Sequence, residues 1–361
     1  MENKITILFF LPNLSGGGAE RVAVNFIRQL DINTFNIVLV LVSRQGVYES
    51  LIPDYVDVYD LQVKKTIFSL FKIRKIIQEL RPDIVFSTLF RTHYILYLAL
   101  VGMKFKPLIV LRSPNSPKLV IKNKQISLIQ RYLLNRSYSS ADLIIAQTPE
   151  MKEELIKFHN VEKDKIIVFL NPIDKELIDK SILNVKSPFN KYNINIVAAG
   201  RLNIQKGFDI LLKAFKEVVL LNKQFVLHII GADGGEKDNL IALAKRLKID
   251  KNVIFLDFQE NPYRYFFYSD LYVLSSRWEG MPNTVLENLY LKKPIIATAC
   301  IPFMNTLIED KKNGFIIDIE DEKSLSKAII NYKNINTDYK TIDFDNGNIG
   351  YIFTNLVVNN K

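Results

Sequence analysis

The amino-acid sequence predicts an α/β protein built from two doubly wound parallel sheets. Apolar runs of about five residues alternate with amphipathic stretches along the chain, which is the pattern of strands buried on both faces between helices. The pattern restarts at Ile194 after a polar stretch, and in each half a glycine-containing turn follows the first strand. Ligands of such sheets bind at the carboxyl ends of the strands, so we expect the two Rossmann-like domains to face each other across a ligand-binding cleft.

The first half opens with an apolar run at residues 5–11. We interpret this run as a strand because it lacks the basic start and the cleavage site of a signal peptide. A glycine-rich turn and an amphipathic stretch at residues 19–30 follow it. Further strands are predicted at 37–42, 56–61, 84–87, 108–111 and 143–146, and helices at 66–80, 92–103 and 125–138.

The second half repeats this alternation. Strands are predicted at 194–198, 225–230, 253–256, 271–274, 294–298 and 314–317, and helices at 208–221 and 236–247. The patterns divide the chain into a first domain at 1–170, a linker at 171–192, a second domain at 193–335 and a final segment at 336–361. Within that final segment, residues 349–358 fit either a last helix or a frayed end.

The composition excludes several classes of protein. Hydrophobic residues make up 48% and charged residues 24% of the 361-residue chain, which is ordinary globular usage and excludes disorder and fibres. The single cysteine, Cys300, excludes an intrachain disulfide and a cysteine-type zinc site. No apolar run reaches the roughly 18 residues of a transmembrane helix, so none is predicted.

Positive charge is concentrated in residues 64–141. This stretch holds 15 Lys or Arg residues against only Glu79 and Asp83, in a chain whose formal net charge is +10. Such a block predicts an anionic partner, which could be nucleic acid, anionic lipid or a phosphorylated substrate. A solvated surface of a lysine-rich protein would give the same composition.

The segment 200–208 reads Gly-Arg-Leu-Asn-Ile-Gln-Lys-Gly-Phe and joins a predicted strand to a predicted helix. The start of a helix presents free N–H groups and partial positive charge, which attract phosphate. A lysine there opposes the helix dipole, so an anion between Arg201 and Lys206 would explain both residues. Two exposed surface cations are the alternative.

A second motif, residues 276–287, reads Ser-Arg-Trp-Glu-Gly-Met-Pro-Asn-Thr-Val-Leu-Glu. A glycine and a proline predict a loop, and Asn283 is expected to cap a helix that begins near Thr284. Glu279 lies in the loop and Glu287 about one turn into the helix, so the two carboxylates could reach different parts of one ligand. A capping carboxylate and an ordinary surface glutamate would leave the same pattern.

The first glycine-rich turn, Ser-Gly-Gly-Gly at residues 15–18, permits close backbone approach of a ligand or of the opposite domain. It is neither Gly-x-Gly-x-x-Gly nor a P-loop, and the second strand ends near Arg44 without an acidic residue for a ribose. An NADP-dependent oxidoreductase that uses this turn and Arg44 therefore remains only as an alternative.

Three histidines are available for chemistry. His228 lies within a predicted buried strand and is expected to be structural, whereas His159 is expected at the surface of a helix end. His93 follows the strand at 84–87, where a cleft residue would lie, and is a candidate functional residue. No cluster of His, Asp and Glu has metal-ligand spacing, so we expect neither a metal nor a cofactor.

Together, these residues resemble the retaining glycosyltransferases of family four, which have the two-domain GT-B architecture. The resemblance runs from residues 14–21 through 200–215 to 275–289, and the last two blocks are its specific part. It implies transfer of a hexose or N-acetylhexosamine from a nucleotide-diphosphate sugar, with a UDP-sugar favoured. The implied acceptor is lipid-linked or a saccharide, in the assembly of a bacterial surface polysaccharide such as lipopolysaccharide O-antigen, capsule or exopolysaccharide.

The resemblance also implies roles for individual residues. Arg201 and Lys206 would hold the donor diphosphate, Glu279 would face the donor sugar, and Glu287 would bind the ribose hydroxyls. The backbone that would cradle phosphate and sugar comprises Gly280, Met281, Pro282, Asn283 and Thr284. Gly17 and Gly18 would close the cleft from the acceptor-binding half.

The sequence departs from the family pattern in the first domain. Many members carry a histidine close to the donor sugar, where residues 111–115 of this chain read Leu-Arg-Ser-Pro-Asn. Either Arg112 or Ser113 replaces that histidine, or His93 supplies the contact from a neighbouring loop. Residues 349–358 resemble the helix by which such chains cross back to the first domain.

The chemistry implied by the resemblance is physically coherent. Two cations and a helix start could stabilise the charge that develops on the departing phosphate, so we expect a metal-independent reaction. Retention without a well-placed enzyme nucleophile fits front-face attack, in which the leaving phosphate takes the acceptor proton. The basic stretch lies in the acceptor half, which favours a cytoplasmic protein attached peripherally to the inner face of the cell membrane. A nucleic-acid-binding protein is the other alternative, but no reading motif supports a nucleic-acid partner.

Overall fold

The structure, a computed structural model, describes residues 4–122, 126–337 and 348–360. The chain divides into two compact units. The first runs to Asp174 and includes the helix at residues 349–358, and the second begins at Lys175. Each unit contains one parallel sheet with helices packed on both faces, so the predicted α/β fold class is confirmed.

Seven strands and six consecutive helices form most of the first unit. The strands are β1 (Ile5–Leu11), β2 (Phe35–Leu41), β3 (Asp57–Asp60), β4 (Ile84–Ser87), β5 (Leu108–Arg112), β6 (Leu143–Ala146) and β7 (Ile166–Val168). The helices are α1 (Gly18–Gln29), α2 (Leu70–Leu80), α3 (Phe90–Leu100), α4 (Pro117–Lys122), α5 (Leu128–Ser139) and α6 (Pro149–His159). The strands pair in the order β3-β2-β1-β4-β5-β6-β7. Ile7 and Phe9 pack on the α1 face, whereas Leu8 and Phe10 pack on the face covered by α2, α3 and α5, as the alternation of side chains along a strand requires.

Six strands form the sheet of the second unit. They are β8 (Ile194–Ala199), β9 (Phe225–Ile230), β10 (Val253–Leu256), β11 (Leu271–Leu274), β12 (Ile295–Thr298) and β13 (Gly314–Ile317), in the order β10-β9-β8-β11-β12-β13. The helices are α7 (Lys175–Ile182), α8 (Phe208–Leu221), α9 (Lys237–Arg246), α10 (Tyr263–Tyr268), α11 (Asn283–Tyr290), α12 (Met304–Leu307) and α13 (Glu322–Ile330). Across the described ranges of both units, no helix is long and apolar enough to cross a membrane.

The two sheets share one connectivity, and it positions the site. In each sheet the first strand of the unit lies beside the fourth, so β1 pairs with β4 and β8 pairs with β11. The direction of winding reverses between these strands, and the connections that follow them diverge and leave a crevice at the carboxyl edge. The segments after β8 and β11, which carry the two sequence motifs, therefore meet at one place.

The observed elements differ from the sequence prediction in a few places. Residues 175–182, expected within a linker, form α7, which packs on α10 in the second unit. The strand β7 and the helices α4, α6, α10, α12 and α13 are also absent from the prediction, although β7 lies within a five-residue apolar run at 166–170. Residues 349–358 form the helix α14, whose buried face packs on α1 and joins the core of the first unit.

Gly207 fixes the place where α8 begins. Its φ of 61° lies in the left-handed region, which costs a residue with a side chain about 1–2 kcal/mol. A Cβ at this position would lie 2.1 Å from the carbonyl oxygen of Ser275, the first residue after β11. Only glycine therefore allows the segment after β8 to pass so close to the end of β11.

We expect Gly207→Ala to destabilise the second unit more than a matched glycine replacement. Gly235 has a φ of 97°, and a Cβ there would meet nothing within 4 Å, so Gly235→Ala carries the backbone cost of roughly 1–2 kcal/mol alone. Gly207→Ala adds a clash with the Ser275 carbonyl group. Urea unfolding of both variants measures the difference. Equal unfolding midpoints would contradict the tight approach.

Candidate functional site

The segment between β8 and α8 carries the two predicted cations. It forms a single 3-10 turn at Ile204–Lys206, where the Asn203 side chain accepts a hydrogen bond from the Lys206 N–H at 3.3 Å. The Lys206 side chain lies across Gly200, where a Cβ would come within 2.7 Å of the lysine Cε. The missing side chain at Gly200 therefore lets the lysine extend toward the end of β11.

An ion pair joins this segment to the one that follows β11. Lys206 Nζ lies 2.6 Å from Glu279 Oε1, and the two side chains are 19% and 8% exposed, so water screens the pair only weakly. The same carboxylate accepts hydrogen bonds from Ser276 Oγ at 2.7 Å and from Gln205 Nε2 at 3.3 Å. Glu279 is thereby held in one orientation beside the ammonium group.

Arg277 also joins the two segments, a role that was not predicted from the sequence. Its Nη atoms donate to the two carboxylate oxygens of Asp209 at 2.9 and 2.8 Å and to the Ile204 carbonyl at 2.7 Å, and its Nε donates to Glu320 at 2.5 Å. Burial alone would raise the pKa of Asp209, but the hydrogen bonds and charge of Arg277 hold that pKa below its usual value. An acid in the first turn of α8 is the sequence signal that could have indicated this contact.

Helix α11 begins one residue earlier than expected, which corrects the role of Asn283. Asn283 is the first helical residue and Pro282 takes the cap position, where no side-chain cap occurs among the described residues. Gly280 and Met281 are buried just before this helix start. The partial positive charge of the helix end is therefore not offset by a capping side chain, and Thr284 lies within its first turn.

Glu287 is buried one turn into α11, near Tyr272 and Tyr263. Its Oε1 accepts a hydrogen bond from the Tyr263 hydroxyl at 3.2 Å. Burial raises the pKa of Tyr272, its hydrogen bond to Thr284 lowers it, and the charges of Glu279 and Glu287 raise it further. The Tyr272 hydroxyl stays protonated and donates to Thr284 Oγ1 at 2.6 Å.

Arg201 is the exposed cation of the same segment. Its side chain forms no ion pair with any residue that the structure describes. Its stem lies against the second glycine turn, where a Cβ at Gly234 would come 2.8 Å from Arg201 Cγ. The structure thus brings Lys206 and Glu279 into direct contact and places Arg201 and Glu287 on the same two segments.

Gly17 and Gly18 belong to the first unit, at the start of α1. Gly17 takes the cap position and Gly18 is the first helical residue. A Cβ at Gly17 would come within 2.1 Å of a carboxylate oxygen of Glu20, so the helix start is closely packed against its own first turn. The turn follows β1, at the same type of sheet edge as the cations of the second unit.

His93 is fully buried in α3, and both of its ring nitrogens are bonded. Nε2 lies 3.2 Å from the Arg112 carbonyl oxygen, which can only accept, so Nε2 carries the proton and Nδ1 accepts from the Ser87 hydroxyl at 2.9 Å. Burial lowers the pKa of His93 to about 3. The neutral ring therefore supports the end of β5, and both nitrogens are already engaged within the protein.

His159 is buried, which corrects its expected place at the surface. It lies in the last turn of α6 with Nδ1 2.6 Å from Asn135 Oδ1, and burial lowers its pKa to about 4. His228 is buried in β9, as predicted, with Nε2 3.1 Å from Asn195 Oδ1, and burial lowers its pKa to about 4. In the part of the chain that the structure describes, no group of three or more His, Cys, Asp or Glu side chains could hold a metal ion.

Two protein-family models match the chain, one in each half. The model described as Glycosyltransferase Family 4 matches residues 16–177. The model described as Glycosyl transferases group 1 matches residues 179–342. Both specific sequence motifs lie within the second match.

Similar proteins span most of the chain. A Campylobacter jejuni protein named N-acetylgalactosamine-N,N'-diacetylbacillosaminyl-diphospho-undecaprenol 4-alpha-N-acetylgalactosaminyltransferase is 27% identical over 333 residues, 89% of this chain and 88% of its own length. An Escherichia coli protein named UDP-Gal:alpha-D-GlcNAc-diphosphoundecaprenol alpha-1,3-galactosyltransferase is 26% identical over 343 residues, 91% of this chain and 87% of its own. Anabaena Alr3699/HepE, solved in complex with UDP-glucose, shares the fold with a TM-score of 0.74 and 21% identity, covering 98% of this chain and 96% of that one.

We expect none of the three histidines to titrate in the folded protein above about pH 5, because burial holds their pKa values near 3 and 4. The unfolded chain binds more protons than the folded protein between pH 6.5 and these values. The free energy of unfolding therefore decreases as pH is lowered through this window, by up to about 1.4 kcal/mol per pH unit for each histidine. NMR of the imidazole C–H resonances from pH 8 to 5 tests this. A histidine that titrates near its ordinary pKa would contradict the buried, neutral assignment.

Proposed function

The chain belongs to the glycosyltransferases of family four and group 1, and from this premise we propose that it moves a hexose or N-acetylhexosamine from a UDP-sugar to a lipid-linked saccharide. In this proposal the transfer retains the configuration of the anomeric carbon and serves the assembly of a bacterial surface polysaccharide. The family establishes the class of reaction. The donor, the acceptor and the stereochemistry are the content of the proposal.

The Lys206–Glu279 ion pair is the observation that carries this proposal. It joins the two motif segments at the edge where β8 lies beside β11, which is the place where open α/β sheets bind their ligands. A cation, a fixed carboxylate and a helix start without a capping side chain are the groups that a diphosphate sugar requires.

The predicted residues of the second unit each have a place in the proposed donor site. Arg201 and Lys206 bind the diphosphate, and the backbone at residues 280–284 approaches phosphate and sugar. Glu279 orients Lys206 and faces the sugar. Glu287 binds the ribose hydroxyls, since a buried carboxylate on the first turns of α11 can accept two hydrogen bonds from them.

The named relatives support the choice of substrates. The names of the C. jejuni and E. coli proteins both mention a saccharide linked to diphospho-undecaprenol, and the E. coli name also mentions UDP-Gal. The Anabaena structure of the same fold was solved with UDP-glucose. We therefore favour UDP as the nucleotide and a lipid diphosphate as the carrier of the acceptor.

The proposed reaction is a front-face displacement. The acceptor hydroxyl forms a bond to the anomeric carbon as the bond from that carbon to the β-phosphate oxygen breaks, and this oxygen takes the hydroxyl proton. Negative charge grows on UDP as it leaves, and Arg201 and Lys206 stabilise it from fixed positions. Because these cations supply the required charge, we propose that the reaction needs no divalent metal.

The acceptor side of the proposal lies in the first unit. In this proposal a substrate approaches the backbone at Gly17 and Gly18, and the Glu20 carboxylate that lies against Gly17 moves aside for it. His93 bonds the Arg112 carbonyl group and in this proposal fixes the end of β5 in the same unit. The proposed acceptor carries a lipid, so this unit must also approach a membrane surface.

Two groups of exposed apolar side chains, together called the apolar patch, lie within the basic stretch of the first unit. The patch comprises Ile67, Phe68 and Phe71 at the start of α2 with Leu128, Ile129 and Tyr132 at the start of α5. Helix α3 packs on both α2 and α5. Helices that connect parallel strands start at the carboxyl edge of the sheet, so the patch lies on the side where the substrates bind.

We propose that the patch and its surrounding lysines and arginines dock on an anionic bilayer. Phe71 is 79% exposed and Leu128 is 84% exposed, and apolar side chains of this size can enter the boundary between headgroups and acyl chains. Each basic residue near an anionic surface contributes about 1 kcal/mol. The attachment would be reversible and would bring the lipid-linked acceptor to the site.

The donor site is tested by variants of the second unit. Lys206→Met should weaken UDP binding, measured by titration calorimetry, at least tenfold, because a charge-assisted contact to phosphate contributes about 1.5–3 kcal/mol. Glu287→Gln should also weaken UDP binding, whereas Glu279→Gln should spare UDP binding and lower the transfer rate. Thermal-shift screening of UDP-, GDP- and ADP-sugars identifies the donor beforehand.

Lys213→Met is the matched control for these variants. Lys213 lies on α8 and pairs with Glu322 at 2.9 Å, so its loss removes a lysine from the same unit without touching the site. UDP binding and transfer should stay at wild-type levels in this variant. If Lys206→Met behaves in the same way as the control, the donor assignment is wrong.

Membrane docking is tested by sedimentation with phosphatidylglycerol liposomes. We expect the protein to pellet at low salt and to be released near 1 M salt, where the screening length falls to about 3 Å. The double variant Phe71→Ser and Leu128→Ser should reduce binding, whereas Leu221→Ser, which replaces a similarly exposed residue of the second unit, should not. Failure to pellet at low salt would refute the docking proposal.

A further inference from the structure

Arg112 is a buried cation without a carboxylate partner. Its side chain is 2% exposed at the end of β5, and it forms no ion pair with any residue in the described ranges. Nη1 donates to Thr88 Oγ1 at 2.8 Å and Nη2 donates to Asn171 Oδ1 at 2.5 Å. Nε is buried, and no acceptor faces it within the described part of the chain. Both acceptors of the guanidinium group are therefore neutral.

The surroundings of Arg112 are polar but contain no compensating negative charge. The buried polar side chains near the ends of β4, β5 and β6 include Ser87, His93, Ser113 and Gln147, and the described part of the first unit has no fully buried Asp or Glu. Burial lowers the pKa of Arg112 to about 9, which leaves the group charged at neutral pH. A buried charge without a partner lowers stability, so a structural role alone explains this residue poorly.

The position of Arg112 is the one where a sheet of this type binds ligands. Thr88 follows β4, next to the reversal of winding beside β1, and Asn171 follows β7, so the guanidinium group spans the carboxyl ends of several strands. The backbone around it is also fixed. The Arg112 carbonyl lies 3.2 Å from His93 Nε2, and the Ser113 carbonyl accepts from Gln147 Nε2 at 2.6 Å.

We propose that Arg112 binds a phosphate group of a substrate, which supplies the missing negative charge. A planar guanidinium group with a free Nε–H fits phosphate oxygens, and its bonds to Thr88 and Asn171 orient it in advance. The inference rests on the proposed function only for the sources of the phosphate, which are the donor diphosphate and the diphosphate of the acceptor carrier. Because the side chain is nearly enclosed, the anion must displace part of the chain that covers it.

The experiment measures inorganic pyrophosphate binding by titration calorimetry to the full chain, to Arg112→Met, to Lys206→Met and to the double variant. If the two cations serve different diphosphates, the wild type binds two pyrophosphates and each single variant binds one. If the wild type binds a single pyrophosphate, Arg112→Met should weaken that binding at least tenfold. Either result supports the proposal, and the stoichiometry shows whether Arg112 has a diphosphate of its own.

Pyrophosphate binding of Arg112→Met with wild-type affinity and stoichiometry would overturn the inference. A thermal melt accompanies each titration, and we expect the melting temperature of Arg112→Met to equal or exceed that of the wild type because an uncompensated buried charge has been removed. If Arg112→Met fails to fold, Arg112→Lys, which keeps the charge but loses the planar fork, is judged by the same criterion. Loss of binding in the Arg112 variants but not in Lys206→Met would uphold this inference and refute the donor-site assignment instead.

Discussion

The crossing of two chain segments at the edge of the second sheet is the constraint on which the donor site depends. The segment after β8 passes the end of β11 so closely that Gly207 has no room for a side chain beside the Ser275 carbonyl. Three further contacts lie at this crossing: the Lys206–Glu279 ion pair, the bond from Ser276 to the same carboxylate, and the bidentate Arg277–Asp209 pair. Functional groups that are fixed in this way on the ends of strands need little reorganisation when a charged ligand arrives.

The sequence predicts the strands, the fold class and the motif segments, because apolar runs and glycine turns are local signals. It does not predict which side chains meet. Lys206 and Glu279 are 73 positions apart, and their contact follows from the pairing of β8 with β11, which no local periodicity encodes. Asn283 is a good cap by residue type. However, Pro282 fits the extended backbone that precedes α11, and the helix therefore begins at Asn283, one residue earlier than expected. His159 looks like a surface residue at a helix end, but its ring is covered and bonded to Asn135.

The two units treat buried charge in opposite ways. In the second unit, Lys206 and Arg277 each lie at hydrogen-bond distance from a carboxylate, and the single contact of Lys206 with Glu279 leaves further N–H groups of its ammonium for a ligand. In the first unit, Arg112 is held by a hydroxyl and an amide, which orient the guanidinium group but leave its charge intact. An internal counter-charge raises stability and lowers the local electric field, whereas an uncompensated cation preserves that field for a ligand at a cost in stability.

Helix α14 has a consequence for how the protein is made. Its residues Ile349, Phe353 and Val357 complete the core beneath β1 and β4, with the Phe353 ring 6.2 Å from that of Phe86. The second unit, residues 175–343, lies between Asp174 and this helix in the chain. At roughly 5–20 residues per second, the ribosome needs on the order of 10–35 s to add them. For that time the nascent first unit exposes an apolar surface that its own later sequence must cover, and this interval is when it is most open to chaperones and to aggregation.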